Sequence, residues 1–132
     1  MKTNPARHAV STRAAPAAVG PYSQALVVGD QIFCSGQIPL DPGTGALVAG
    51  DFRAQAAQVL TNLDAVLRAA GASFAHVVRT TVYLVDLGDF SILNELYAER
   101  FSQPFPARVT VGVAALPKGA RIEMDAIAVR PS

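Results

Sequence analysis

The sequence is short of charge, of cysteine and of histidine, and each shortage removes a class of function. Only 16% of the 132 residues are charged and the net charge is +1 at pH 7. That balance makes no electrostatic case for nucleic acid or for an anionic membrane surface. Cys34 is the one cysteine, so no internal disulfide can form and a reducing compartment is the natural expectation. Placed inside a strand, Cys34 reads as a small buried hydrophobe rather than a nucleophile. The two histidines, His8 and His76, stand in no ligand spacing with it, so no metal site is expected. The glycines never form a phosphate-cradling pattern, and no nucleophile-elbow motif is present. No apolar run approaches a membrane span. Lys2, Arg7 and Arg13 are not followed by an apolar region of the kind a secretory signal needs. The expected location is therefore cytoplasmic.

What the chain has in quantity is apolar residues, 51% of the total. At this length one domain, residues 1–132, can bury a core without staples. Half apolar is more than a small monomer hides easily, so some apolar surface is expected to be covered by other subunits. Residues 1–14 read as a loosely attached extension, with a possible short strand at 8–11. Strands at 25–28 and 31–35 flank the turn Gly29-Asp30 and form a hairpin. Residues 37–50 form a long loop. Asp51 caps a helix over 52–70 with Phe52, Ala56, Val59, Leu60, Leu63, Val66, Leu67 and Ala70 on its apolar stripe. Gly71 ends it. A β-branched run at 77–85 reads as a strand. A second helix over 90–101 carries Phe90, Leu93, Tyr97 and Phe101 on one side, with Asn94 on the flank. Pro104 and Pro106 forbid its continuation.

The order β-β-β-α-β-α-β-β predicts an α+β fold. Right-handed crossovers put both helices on one face of a mixed sheet, and the hairpins add antiparallel partners. The other face is left bare, and oligomerisation would cover it.

The last thirty residues hold the informative charges. In the strand over 108–115, Val109, Val111, Val113 and Ala115 point one way and Arg108, Thr110, Gly112 and Ala114 the other. After the turn Leu116-Pro117-Lys118-Gly119-Ala120, a strand over 121–129 carries Glu123. A fixed Arg and a fixed Glu in otherwise apolar strands each have a plain reading, Arg108 as a rim arginine pairing a surface carboxylate and Glu123 as a solvated strand residue. Tyr22 could likewise cap the core, and Asn94 could be ordinary helix surface.

Together these positions closely resemble the Rid family, the reactive intermediate deaminases, also called the YjgF family. The stretches are APAAVGPYSQA (15–25), FCSGQIP (33–39), YLVDLGDFSILNELY (83–97) and FPARVTVGVAALPKGARIEMDAIAV (105–129). The resemblance implies a chorismate-mutase-like subunit in a homotrimer, with active sites between subunits. It implies cofactor-free hydrolysis of enamines and imines such as 2-aminoacrylate to 2-keto acids and ammonia. By motif it assigns catalytic roles to Arg108, Glu123 and Tyr22, and substrate binding to Ser35, Gly36, Asn94 and Thr110. A guanidinium fork suits the carboxylate of a 2-imino acid, and a carboxyl in a partly dry cleft suits proton transfer to the departing amine. The chain departs from the archetype at Thr110, where a cysteine is common, and at Val109, Gly112 and Ala115. A non-catalytic small-acid binder, a chaperone-like member or an endoribonuclease-like member are the alternative readings, and the near-neutral charge argues against the last.

Counting residues from the 117–120 turn places Arg108 and Glu123 roughly 20 Å apart along the strand axis at ~3.3 Å per residue. A site using both is therefore expected to be shared between chains.

Overall fold

The computed structural model describes residues 6–131. Six strands form one sheet: β1 (His8–Val10), β2 (Ala25–Val28), β3 (Gln31–Gln37), β4 (Val77–Leu84), β5 (Ala107–Gly112) and β6 (Ile122–Val129). Their spatial order is β1-β2-β3-β6-β4-β5. The helices α1 (Phe52–Ala69) and α2 (Phe90–Arg100) pack against each other, with α1 also on β3 and β6. The architecture is the expected α+β sheet with its helices on one face. β4 and β5 run parallel, joined by α2, and every other pairing is antiparallel.

β6 inserts between β3 and β4, so β5 and β6 are antiparallel but not neighbours. Burial explains the insertion. Ile122, Met124, Ala126 and Ala128 are all inaccessible on their helix-facing side, so β6 takes the centre of the sheet. β5 is left at the edge and ends at Gly112, three residues short of the expected strand.

Asp51 caps α1 by accepting a hydrogen bond from the Ala54 amide at 3.0 Å, which satisfies one of the helix's free donors. The eight expected stripe residues of α1 are all buried. Two buried polar residues accompany them. Asn62 donates to the carbonyls of Ile38 (3.3 Å) and Leu40 (3.0 Å). Gln55 accepts from the Arg121 amide at 2.9 Å. Each side chain satisfies backbone groups that a loop could not satisfy itself. On α2, Leu93, Tyr97 and Phe101 are buried as expected, whereas Phe90 stays partly exposed.

Residues 1–5 of the expected loose extension lie outside the described residues. From His8 onward the chain is tied down. His8–Val10 pairs with β2, and the buried Gln24 amide accepts from the Thr12 amide (2.7 Å) and donates to the carbonyls of Thr12 (3.0 Å) and Pro16 (2.8 Å). Among the described residues no helix is long and apolar enough to cross a membrane.

Candidate active site

The sheet register decides where the candidate residues go. Arg108 pairs with Thr80, and Glu123 pairs with Tyr83, both on β4. Paired residues project to the same side, and residues an odd number apart project to opposite sides. Thr80 is fully buried beneath α2, where its Oγ1 lies 2.8 Å from the Tyr97 hydroxyl. Arg108 therefore faces the helix side. Glu123, with Tyr83 and Asp125, faces the bare side. The expected separation of roughly 20 Å along the strand axis is too large. The register makes the offset three residues, or ~10 Å, with two strand spacings, another ~10 Å, between the strands. The count went wrong because residues 113–121 do not continue either strand. The sheet itself, lying between the two side chains, keeps them apart.

The cationic corner lies at the sheet edge. Pro106 and the start of β5 deliver Arg108 to the end of α2. There Arg108, Asn94, Tyr97, Ala98, Phe105 and Pro106 line a cavity of about 450 Å³. The guanidinium carbon sits 4.8 Å from the Tyr97 ring centroid and 5.3 Å from that of Phe90. Among the described residues no carboxylate lies within ion-pair distance of Arg108, and none accepts a hydrogen bond from it. Burial pushes the Tyr97 phenol above its ordinary pKa, against the opposing pull of the Thr80 hydrogen bond and the Arg108 charge. Thr110 projects to the same side of β5. Its Oγ1 is buried and has no hydrogen-bond partner among the described residues. An orphaned hydroxyl costs about 1–3 kcal/mol, which sets it apart from ordinary packing.

The acidic corner lies on the other face. Tyr22, Gly36 and Glu123 line one cavity of about 480 Å³, together with Gln37, Ile38, Leu40 and Lys118 among others. A register shift in β3 between Cys34 and Gln37 brings Gly36 against Glu123. A Cβ on Gly36 would collide with the Glu123 carboxylate, so glycine leaves the space that this placement of the Glu123 side chain occupies. Burial first, and the neighbouring Asp125 charge second, push the Glu123 carboxyl above its ordinary range. Asp125 accepts a hydrogen bond from the Tyr83 hydroxyl at 3.1 Å. Burial and the Asp125 charge push the Cys34 thiol up to about 12, which keeps it protonated and unreactive at neutral pH.

Ser35 does not join that cavity. Its hydroxyl is committed to the Ser23 carbonyl at 2.6 Å, and it lines a neighbouring depression with Tyr22. The chain thus gathers Tyr22, Gly36 and Glu123 in one place and Arg108 and Asn94 in another. Three participants escaped sequence reasoning. Lys118 lines the acidic cavity in a left-handed conformation (φ 58°) and donates to the Gly45 carbonyl at 3.0 Å. Phe90 and Tyr97 flank the guanidinium. Their spacing of seven was visible, but it also fits a core stripe. Among the described residues no group of three or more His, Cys, Asp or Glu gathers as a metal site.

Fold and register define an α+β chain of the YjgF or chorismate-mutase-like type, with the cationic and acidic corners on opposite faces of one sheet. A family model described as Endoribonuclease L-PSP matches residues 12–130, and the chain belongs to this family, which includes the Rid and YjgF proteins. It is similar to protein DfrA of Myxococcus xanthus, at 56% identity over 94% of this chain and 96% of the relative. It is similar to human 2-iminobutanoate/2-iminopropanoate deaminase, at 50% identity over 94% of this chain and 90% of the relative. The crystal structure of RidA from an Antarctic Psychrobacter superposes with a TM-score of 0.89 at 48% identity, over 92% of this chain and 98% of that one.

Proposed function

We propose that this protein is a cytoplasmic, cofactor-free deaminase that hydrolyses 2-imino acids and their enamine tautomers to 2-keto acids and ammonia. The observation that carries the reading is Arg108, a guanidinium beside Asn94 with no carboxylate partner among the described residues. Half-identity along nearly the full length to a human 2-iminobutanoate/2-iminopropanoate deaminase supports the same substrate class.

The reaction adds water to a C=N carbon and expels ammonia. Arg108 holds the substrate carboxylate through two parallel N–H···O bonds, which Lys cannot reproduce. The Asn94 amide lies on the same cavity wall for a further polar contact. An enamine substrate first takes a proton on its β-carbon to become the imine. Glu123 then takes a proton from water as the oxygen attacks the imine carbon. It delivers that proton to nitrogen, giving the neutral carbinolamine, and then carries the hydroxyl proton to nitrogen as the C–N bond breaks and the C=O forms, releasing ammonia. Burial raises its pKa, which makes the carboxylate a stronger base than an exposed glutamate and suits it to taking a proton and giving it back. Tyr22 and the Gly36 backbone close the pocket around the reacting carbon.

One chain does not bring these parts together, so the active unit is a homotrimer in which the Arg108 corner of one subunit meets the Glu123 corner of the next. The bare sheet face supports this reading. Phe33, Val109 and Val111 are exposed on it, and Tyr83 and Ile127 are half-buried, leaving a surface that a neighbouring copy would cover. The direct test feeds the protein with imine made in situ by a serine or threonine dehydratase or an amino-acid oxidase. Accelerated release of keto acid and ammonia is expected, and no acceleration over buffer overturns the reading.

A further inference from the structure

We propose that Phe90 and Tyr97 form an aromatic shelf that positions the Arg108 guanidinium, and that Thr80 locks the shelf to the strand next to Arg108. The proposal rests on the reading of Arg108 as the carboxylate anchor and identifies what aims it. An arginine at a sheet edge is normally held by a carboxylate or by carbonyls, and either would consume the N–H donors a substrate needs. Here the guanidinium lies against two ring faces, 4.8 Å from one centroid and 5.3 Å from the other. The attraction to a ring face uses the charge and leaves the in-plane N–H groups free.

The shelf is itself immobilised. The Tyr97 hydroxyl and Thr80 Oγ1 are 2.8 Å apart in a buried hydrogen bond, and Thr80 is the residue that pairs with Arg108 across β4 and β5. Strand pairing, the hydrogen bond and the ring contact close a triangle of Arg108, Thr80 and Tyr97. Tyr97 also stacks on Phe101 (centroids 4.3 Å apart, planes 28° apart), and Phe101 packs on Phe74 with centroids 4.6 Å apart. Tyr97 therefore cannot turn without breaking the core. Phe90 stands two helical turns before it on α2, partly exposed, and supplies the second face. A side chain with arginine's rotamer freedom would otherwise have to be ordered by each arriving substrate. The shelf removes that cost in advance. It also explains why a large aromatic at position 90 stays partly out of the core.

Phe90 and Tyr97 are thus positioning residues, and their variants should affect carboxylate binding before they affect the chemical step. With threonine dehydratase supplying 2-iminobutanoate, Phe90→Leu should raise KM about two- to fivefold, the range expected for a partly exposed cation–π contact, with kcat nearly unchanged. Tyr97→Leu should raise KM further. Phe90→Tyr should restore the wild-type value, and Tyr97→Phe should keep most of it. Binding of 2-oxobutanoate, measured by calorimetry, should weaken in parallel.

An independent readout needs no activity. The Arg108 δ-methylene protons should be shifted upfield by the ring currents in the wild type, less so in Phe90→Leu, and least in Tyr97→Leu. An Arg108 without ring-current shift, or a Phe90→Leu protein with unchanged KM and unchanged 2-oxobutanoate affinity, overturns the shelf. A wild type that neither hydrolyses the imine nor binds 2-oxobutanoate overturns the proposed function instead, and the ring-current measurement still decides the shelf.

Discussion

The two charged corners of this chain handle charge in opposite ways. At the sheet edge, Arg108 is a fixed charge whose environment asks nothing of its donors, since aromatic faces hold it and no carboxylate neutralises it among the described residues. On the central strand, Glu123 is a titrating charge that burial and Asp125 push toward the neutral form. Each corner is therefore suited to a different part of a reaction. A permanent cation with free donors can bind and orient an anion, and it cannot move protons near neutrality. A destabilised carboxylate can move protons, and it makes a poor anchor for an acidic substrate. One sheet keeps the two apart on opposite faces, so within the chain neither neutralises the other.

The largest effect is expected at Arg108. Arg108→Ala should cost about 2–5 kcal/mol of transition-state binding, with Arg108→Lys recovering little. Imine hydrolysis should fall below detection while the circular dichroism spectrum and oligomer mass stay unchanged. Turnover near wild type in Arg108→Ala would remove the anchoring role.

Subunit mixing tests whether the two corners serve one site. Subunits carrying Arg108→Ala and subunits carrying Glu123→Ala should each be inactive alone. After exchange in equal amounts, roughly a quarter of the sites in a cyclic assembly would pair an intact arginine with an intact glutamate. Recovery of activity on that scale is expected. A mixture that recovers nothing after demonstrated exchange would falsify the shared site.

Titration probes the acidic corner alone. Because the Glu123 pKa is raised above 4.5, the acid limb of the kcat/KM profile should lie above the ordinary glutamate range. The stability consequence has a definite sign. A raised folded-state pKa contributes stability that is complete below the ordinary value of 4.5 and is lost as pH rises through the shifted one. Glu123→Gln should therefore lose less stability than the wild type over that interval in denaturant titrations at successive pH values. It should also lose the acid limb. Parallel stability curves for the two proteins would mean that the carboxyl is not perturbed by folding.

The smallest expected effect belongs to Thr110. Thr110→Val replaces an orphaned buried hydroxyl with a methyl group of similar shape, so the melting temperature should hold or rise slightly while turnover falls modestly. Thr110→Cys should remain active. Complete loss of activity in Thr110→Val, with Arg108 still ordered, would assign the hydroxyl a chemical role.

Local pattern was enough for the elements. The α1 stripe read from a period of 3.6 is buried position for position, and Asp51 caps the helix where expected. β-branched runs and proline punctuation placed β4 and ended α2. The identities of Arg108, Asn94, Glu123, Tyr22 and Gly36 were legible through motif resemblance. Those signals are local, and neighbouring residues carry them. Three things were not local. β6 lies between β3 and β4, a choice made by burial of Met124 and its neighbours that no turn sequence encodes. The faces of Arg108 and Glu123 follow from pairing both strands with β4, which brings residues separated by dozens of positions into one register. Phe90 and Tyr97 share a helical stripe with buried Leu93, and only the packing of α2 against the sheet edge turns one partly outward and both toward a guanidinium. Side-chain type and spacing fix what a residue can do. Which partner it faces depends on long-range pairing, and that is decided when the whole sheet closes on its core.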